Sequence, residues 1–126
     1  MKKGKIIPNG VILEKHEYRT VVFLTKCGLD VELIPKSNEA GIHTPDIIVA
    51  GEKWEMKAPK GEGNALMKNT IQKALRQSPN IIIDLRRTKR NQIKCLCELR
   101  REFIKSKTIH RLKIITKSNK TLDFKK

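Results

Sequence analysis

Apolar residues recur along this chain with two different periods, and each period predicts a different kind of element. Apolar positions three and four residues apart predict helices at Leu13–Cys27, from a capping Asn64 to about Gln77, and at Gln92–Lys105. Alternating or short continuous apolar runs predict strands at Asp30–Pro35, Pro45–Ala50, Lys53–Ala58, Asn80–Leu85, His110–Thr116 and Thr121–Phe124. The order α-β-β-β-α-β-α-β-β predicts an α/β fold in which helices flank one mixed sheet.

The length of 126 residues is enough for one domain with a real core and too short for two. Met1–Asn9 is basic and runs into a Pro-Asn-Gly turn, so residues 1–10 are predicted to be a basic lead or linker. Residues 11–126 then form a single domain. We find neither a signal peptide nor an apolar run of membrane-spanning length. Cys27, Cys95 and Cys97 do not have metal-ligand spacing, and they are expected to be packing thiols in a reducing compartment.

The charge balance of the chain indicates a domain that attracts polyanions. Lys and Arg number 28 against 13 Asp and Glu, which gives a net charge of +15. Nucleic acid is the commonest target of such a field, with an anionic membrane surface or an acidic protein as the alternatives. Only 4% of the residues are aromatic, so base stacking is not expected to dominate any nucleic-acid contact.

Two acids and a lysine stand out in the segment TPDIIVAGEKWEMKAPKG. If Gly51-Glu52 forms a two-residue type II′ turn, the face of the hairpin away from the core holds Asp46, Ile48, Glu55 and Lys57. Asp46 and Glu55 are then diagonal neighbours, with Cα atoms roughly 7–8 Å apart. Carboxylates at that spacing can hold Mg²⁺, and a lysine beside them can orient water and stabilise phosphate charge. The alternative is a cross-strand salt-bridge patch on a solvated face.

A third acid, Glu17, lies in the middle of the apolar stripe of the first predicted helix. A charge there is costly unless it is paired or bound to a metal. It is therefore a candidate third ligand, with Glu14, nearer the edge of the stripe, as second choice. The alternative is a structural ion pair beneath the helix.

Four further polar residues are candidate nucleic-acid contacts. Lys60 lies in the open basic loop after Lys57, and Gln77 ends its helix close to the next strand. Arg86 and Arg87 follow the strand Asn80–Leu85 and suit phosphate contacts. A solvated loop, an ordinary helix end and a soluble surface would account for the same residues.

Together these segments resemble the PD-(D/E)XK nuclease superfamily. The closer resemblance is to the C-terminal toxin domains of CdiA-type contact-dependent growth inhibition proteins, particularly their tRNA-nuclease subgroup. It is carried by EKHEYRTVVFLTKCGLDVELIP, HTPDIIVAGEKWEMKAPKG, IQKALRQSPNIIIDLRRTK and RLKIITK, which cover nearly everything after the first ten residues. The most specific part is WE-x-K-x-PKG followed by QSPN, an apolar run and DLRR.

The resemblance implies a restriction-endonuclease-like αβββαβ core with an extra helix and C-terminal strands. It implies a metal-dependent endonuclease in which Glu17, Asp46 and Glu55 are metal ligands and Lys57 is the catalytic lysine. Mg²⁺ is the expected ion, with Mn²⁺ or Zn²⁺ as alternatives. Lys60 and Gln77 match functional residues of the family less closely.

The resemblance also implies partners and a place of action. The favoured substrate is tRNA in the cytoplasm of a target bacterium, and the producer needs a cognate immunity protein, expected to be acidic. The second hypothesis is a DNA endonuclease of restriction or resolvase type. The third reading is a basic nucleic-acid-binding module without chemistry.

Overall fold

The computed structural model describes residues 2–126. Within this range three helices are formed, α1 (Lys15–Lys26), α2 (Leu66–Leu75) and α3 (Gln92–Lys105). The same residues form seven strands, β1 (Ile6–Ile7), β2 (Val31–Leu33), β3 (Ile47–Val49), β4 (Glu52–Lys57), β5 (Asn80–Asp84), β6 (Arg111–Ile115) and β7 (Thr121–Lys125). The predicted order of helices and strands is confirmed, with β1 added in front.

The strands form one mixed sheet whose spatial order is the chain order, β1 to β7. The neighbours β1–β2, β4–β5 and β5–β6 are parallel, and the other adjacent pairs are antiparallel. The helices cover the sheet, so the predicted α/β class with helices around a mixed sheet is confirmed. The parallel strands β4, β5 and β6 end at the same edge of the sheet, where ligands of open α/β sheets commonly bind.

The sheet separates two hydrophobic cores. On one face, Val21 and Leu24 of α1 pack with Trp54 and Met56 of β4 and with Ile82 of β5. On the other face, α2 and α3 pack against alternate residues of β5 and β6; the buried set includes Met67, Ile71, Leu99, Ile81, Ile83, Leu112 and Ile114. Because β5 is buried on both faces, its continuous apolar run needs no alternation.

The β3–β4 hairpin turns one position earlier than predicted. Ala50 and Gly51 have φ of 52° and 78°, the left-handed conformation that a type I′ turn needs at both central residues. The pairs are therefore Ile47 with Trp54 and Val49 with Glu52, so the predicted Gly51-Glu52 turn is wrong. The register shifts by two residues, and the predicted apolar face of the hairpin is preserved because side-chain direction has a period of two.

The first ten residues are not all outside the sheet. Ile6 and Ile7 pair in parallel with Val31 and Glu32, and they form a short edge strand. The backbone approaches closely at Gly4, where a β-carbon would lie 1.9 Å from the carbonyl oxygen of Leu29. The basic lead predicted over residues 1–10 thus contributes to the folded domain.

Two local predictions are wrong. Helix α2 has Ala65 at its N-cap position without a side-chain cap, because the Asn64 side chain instead accepts a hydrogen bond from Arg90 at 3.3 Å. Of the three thiols, Cys95 is buried, whereas Cys27 and Cys97 are exposed and do not pack in a core. Within residues 2–126, no helix combines the length and apolarity that crossing a membrane requires.

Candidate functional site

Asp46 and Glu55 form a buried carboxylate pair where β3 and β4 separate. Asp46 immediately precedes β3, and its N–H donates to the Trp54 carbonyl oxygen at 3.0 Å. Its Oδ2 accepts from the Met56 N–H at 2.9 Å, so the side chain takes the place of a backbone ladder bond. The shifted register thus places Asp46 beside Glu55 instead of opposite Lys57. The two residues are only 8% and 4% exposed.

The electrostatics of the pair follow from its burial. Burial raises the pKa of Glu55, the negative charge of the adjacent Asp46 raises it further, and Lys57 and Lys36 partly oppose the rise. The result is a pKa of about 7, against an ordinary value of 4.5. Glu55 Oε1 is buried and has no hydrogen-bond partner among residues 2–126. A proton or a cation at this pair is therefore favoured near neutral pH.

A lysine lies beside each of the two acids. Lys57 Nζ lies 3.3 Å from Glu55 Oε2, and its side chain is 32% exposed. Lys36 Nζ lies 2.6 Å from Asp46 Oδ1 and also donates to the Thr44 carbonyl oxygen at 3.1 Å. Sequence reasoning missed Lys36, which directly follows the predicted strand Asp30–Pro35. Its position follows from the register of β2 with β3 in the structure, because the Ile34 N–H donates to the Asp46 carbonyl oxygen and Lys36 follows two residues later.

The donor set of this pair fits a hard divalent cation. Buried carboxylate oxygens with an unpartnered acceptor suit Mg²⁺ or Mn²⁺, ions that keep several waters when one or two carboxylates hold them. Within the described part of the chain, no group of three or more His, Cys, Asp or Glu side chains is placed to hold a metal. A cation at this pair would accordingly have two protein carboxylates as ligands, and its other ligands would be water or substrate oxygens.

Glu17 is not brought to the carboxylate pair. It lies in the first turn of α1, and its Oε1 accepts a hydrogen bond from the Glu14 N–H at 3.0 Å. That contact gives the half-buried carboxylate a partner at the helix N-terminus, where negative charge is favoured. Its place in the apolar stripe therefore has a local explanation. Glu14, the second choice, is exposed and lies 3.5 Å from His16.

Of the four predicted nucleic-acid contacts, Arg86 and Arg87 line one cleft beside α1, whereas Lys60 and Gln77 do not. Lys60 is exposed in the loop after β4, and Gln77 lies just beyond α2, with a buried Oε1 that has no hydrogen-bond partner. Arg87 is exposed and donates through Nε to the Ala58 carbonyl oxygen at 2.7 Å. Arg86 forms an ion pair with Asp84 at 2.8 Å.

Comparison with known proteins places the chain in a family. Residues 43–121 match the contact-dependent growth inhibition CdiA C-terminal domain. The chain belongs to this family. The resemblance drawn from the sequence is thereby confirmed, and the chain is a CdiA C-terminal toxin domain. The matched range contains Asp46, Glu55 and Lys57, whereas Glu17 and Lys36 precede it.

The fold of this CdiA C-terminal domain is also found in a solved structure. It is similar to a chain in the CdiA-CT/CdiI toxin and immunity complex from Burkholderia pseudomallei, with a TM-score of 0.74. The alignment covers 98% of this chain and 100% of that chain at 17% identity, which establishes a shared fold. No curated protein matches the sequence.

A third buried acid, Asp84, lies on the opposite face of the sheet from Glu55. Its Oδ2 accepts from Thr20 Oγ1 at 2.7 Å and from Arg86 Nη2 at 2.8 Å, and Oδ1 accepts from Arg86 Nε at 2.9 Å. Burial alone would raise the pKa of Asp84, but these hydrogen bonds and the guanidinium charge outweigh it and hold the pKa below its usual range. Asp84 is therefore a satisfied structural anion that fixes Arg86 on α1.

Proposed function

We propose that this CdiA C-terminal domain is a metal-dependent endonuclease that hydrolyses phosphodiester bonds. The observation that supports it best is the buried Asp46–Glu55 pair, with the unpartnered Oε1 of Glu55 and the Lys57 ammonium 3.3 Å from Oε2. A purely structural pair of buried acids would be expected to have every oxygen satisfied. This one requires a proton or a cation.

Asp46 and Glu55 are the residues that would hold Mg²⁺, Mn²⁺ or Zn²⁺. When bound, such an ion polarises the phosphoryl oxygen and lowers the pKa of a coordinated water. Lys57 is partly exposed next to the pair, and it is positioned to bind a phosphate oxygen and to stabilise the charge that develops there. Lys36 neutralises Asp46 and is 57% exposed, so its flexible side chain can leave when another cation arrives.

Nucleic acid is the proposed substrate, with tRNA in the cytoplasm of a target bacterium favoured over DNA. A net charge of +15 supplies the attraction to a phosphate backbone. The resemblance to tRNA-cleaving CdiA toxins supports RNA. A non-catalytic binding module is disfavoured because a buried pair of acids repels the phosphates that such a module must bind.

The producer of this toxin is proposed to make a cognate immunity protein. The similar solved chain comes from a toxin and immunity complex, and the positive surface of this chain would attract an acidic partner.

The test is cleavage by the purified chain, with tRNA and plasmid DNA supplied side by side. We expect one pool to be degraded with Mg²⁺, Mn²⁺ or Zn²⁺, and EDTA to stop the reaction. Lys57→Ala and Glu55→Gln should both be inactive. Lys53→Ala is the matched control, because Lys53 is an exposed lysine of the same strand and should leave cleavage unchanged. Full cleavage by Lys57→Ala, or cleavage insensitive to EDTA, would contradict the assignment.

A further inference from the structure

A cleft of about 770 Å³ lies beside α1, away from the carboxylate pair. One wall is the outer flank of α1, including Tyr18, Arg19 and Lys26. The other wall is formed by the segments that follow β4 and β5, including Ala58 and Arg87, with Asn119 of the β6–β7 turn at one end. The cleft therefore opens at the carboxyl ends of parallel strands, and its volume lies in the range of sites that bind small ligands, about 300–1,000 Å³.

The cleft is strongly cationic. Arg86 is largely neutralised, because Asp84 accepts hydrogen bonds from both Nε and Nη2. Arg19, Lys26 and Arg87 also line the cleft, and within residues 2–126 none of them has a carboxylate within salt-bridge distance. Three uncompensated cations around one concave surface favour a polyanionic occupant.

Tyr18 gives this basic surface an aromatic side chain. It lines the cleft and is 55% exposed, whereas Trp54 is buried in the α1 core at 3% exposure. Among residues 2–126, Tyr18 is the one aromatic side chain with large exposure. An exposed ring within a cationic groove is the arrangement that stacks an unpaired base while neighbouring cations bind its phosphates. A base within a duplex has no free face for such a ring.

The cleft and the candidate catalytic residues meet at the carboxyl end of β4, although Glu55 and Lys57 point to the opposite face of the sheet. Lys57 ends the strand, and the next residue, Ala58, lines the cleft. The Arg87 Nε donates to the Ala58 carbonyl oxygen at 2.7 Å, which ties the loop after β5 to the end of β4. A nucleic-acid strand bound in the cleft could therefore pass over this sheet edge to Lys57.

We propose that the α1 cleft binds unpaired nucleotides of the substrate, with a base on Tyr18 and phosphates at Arg19, Lys26 and Arg87. The proposal rests on the nuclease function above, and it specifies the substrate as single-stranded or looped at the segment beside the cleaved bond. The charge and the exposed ring favour nucleic acid over an acidic protein as the occupant of the cleft.

The test measures binding without cleavage. Fluorescence anisotropy with a labelled single-stranded RNA oligonucleotide and with the corresponding duplex is measured in EDTA, over a range of salt concentrations. The variants are Tyr18→Ala, Tyr18→Phe and the triple Arg19→Gln/Lys26→Gln/Arg87→Gln. A triple with equal charge loss elsewhere, Lys94→Gln/Arg100→Gln/Lys107→Gln, is the control. These three control residues are exposed, and within residues 2–126 none of them forms a salt bridge.

We expect Tyr18→Ala to weaken single-strand binding roughly tenfold, and Tyr18→Phe to stay within about twofold of the wild type. The cleft triple should lower the slope of log affinity against log salt by about 2, and the control triple by clearly less. Binding of the duplex should respond little to Tyr18→Ala. The triple variant loses the Arg87 hydrogen bond to the Ala58 carbonyl oxygen, which could disturb the fold. The double variant Arg19→Gln/Lys26→Gln is therefore measured as well, because neither of these side chains forms a hydrogen bond within residues 2–126.

Wild-type affinity and salt slope in all the cleft variants would overturn the proposal and leave the cleft to another occupant, such as an acidic protein. Equal effects of the cleft and control triples, together with no effect of Tyr18→Ala, would also overturn it. If the cleft variants lose binding as expected but the wild type cleaves nothing with any metal, the binding site stands and the nuclease function fails.

Discussion

Glu55 and Asp84 are two buried carboxylates on parallel strands of one sheet, yet their environments are opposite. Asp84 faces α1, is 3% exposed and has hydrogen-bond donors on both oxygens. Glu55 lies between the core residues Trp54 and Met56 and so points to the other face, where one of its oxygens has no partner and a second acid lies beside it. The pKa of Asp84 is lowered, and that of Glu55 is raised to about 7.

This difference shows that burial alone does not mark a functional acid. Donors that saturate a buried carboxylate, as Thr20 and Arg86 do for Asp84, produce a structural anion. A buried carboxylate whose oxygens are not all satisfied by donors, and which shares its site with another acid, is a position where a proton or cation binds. The two acids therefore predict different responses to mutation, pH and metal.

The largest expected effect is on cleavage. Glu55→Gln or Asp46→Asn should lower the rate at least about 100-fold, because each removes a charged metal ligand and the activation it supplies. Asp84→Asn should lower the rate of the folded protein less than about tenfold. Single-turnover cleavage at saturating metal, with the folded fraction checked by circular dichroism, makes the comparison. Comparable losses in all three variants would erase the distinction between the two acids.

The second expected effect is on the free energy of unfolding. Here substitution of Asp84 should have the larger effect and substitution of Glu55 the smaller one. Asp84→Asn should lower the free energy of unfolding by about 2–3 kcal/mol, since Arg86 and Thr20 lose a charged acceptor in a buried place. Glu55→Gln should change it by less than about 1 kcal/mol at neutral pH, because the amide removes an unfavourable charge. Urea unfolding followed by tryptophan fluorescence measures both. A Glu55→Gln protein that is the less stable of the two would contradict the account.

The third effect is on the pH dependence of stability. The folded protein keeps a proton on Glu55 up to a pH of about 7, whereas the unfolded chain releases it near 4.5. The stabilisation is therefore fully present below the unfolded pKa and is lost as pH rises through about 7. The lowered pKa of Asp84 acts with the opposite sign, and its stabilisation is lost as pH falls through that pKa.

The measurement is the melting temperature of the wild type and of Glu55→Gln in EDTA, from pH 5 to pH 8. The wild type should lose stability relative to Glu55→Gln as pH rises. Mn²⁺ at pH 8 should restore it in the wild type alone, because the ion binds the folded carboxylate pair. A difference between the two proteins that stays constant with pH would mean that Glu55 has an ordinary pKa.

The smallest effect is on the pKa of Glu55 itself. Lys57→Met should raise this pKa above its wild-type value, because the ammonium favours the carboxylate. Lys36→Met should raise it less, since its influence is the smaller of the two. Lys53→Met is the control and should leave it unchanged. Carbon-13 NMR titration of the labelled glutamate carboxyl gives the pKa of Glu55 in the wild type and in the three variants. A lowered pKa in Lys57→Met would contradict the assigned effect of the ammonium.

The periodicity of the sequence predicted the order of the helices and strands because each segment buries a continuous apolar face. It did not predict the turn of the β3–β4 hairpin, since Ala50-Gly51 and Gly51-Glu52 are adjacent candidates and local sequence separates them poorly. The error was a two-residue shift, which preserves side-chain direction. Asp46 and Glu55 were therefore predicted on neighbouring strands of one site, although their contact differs from the predicted diagonal.

Side-chain partners from distant segments were beyond the reach of the sequence pattern. The hydrogen bond of Glu17 to the Glu14 backbone is local, and the spacing of the two residues could have indicated it. The ion pair of Lys36 with Asp46 depends on the pairing of β2 with β3. The hydrogen bond from Thr20 to Asp84 depends on how α1 crosses the sheet. Such contacts follow from tertiary packing, which one sequence does not specify residue by residue.

The central claim is that Asp46 and Glu55 together bind a divalent cation. The most direct measurement is the anomalous scattering of Mn²⁺ in crystals of the chain grown at pH 8, with Glu55→Gln crystals as the control. We expect one strong peak at the Asp46–Glu55 pair in the wild type and none in Glu55→Gln. A wild-type map without a peak at this pair, or with the ion bound at Asp84 instead, would contradict the claim.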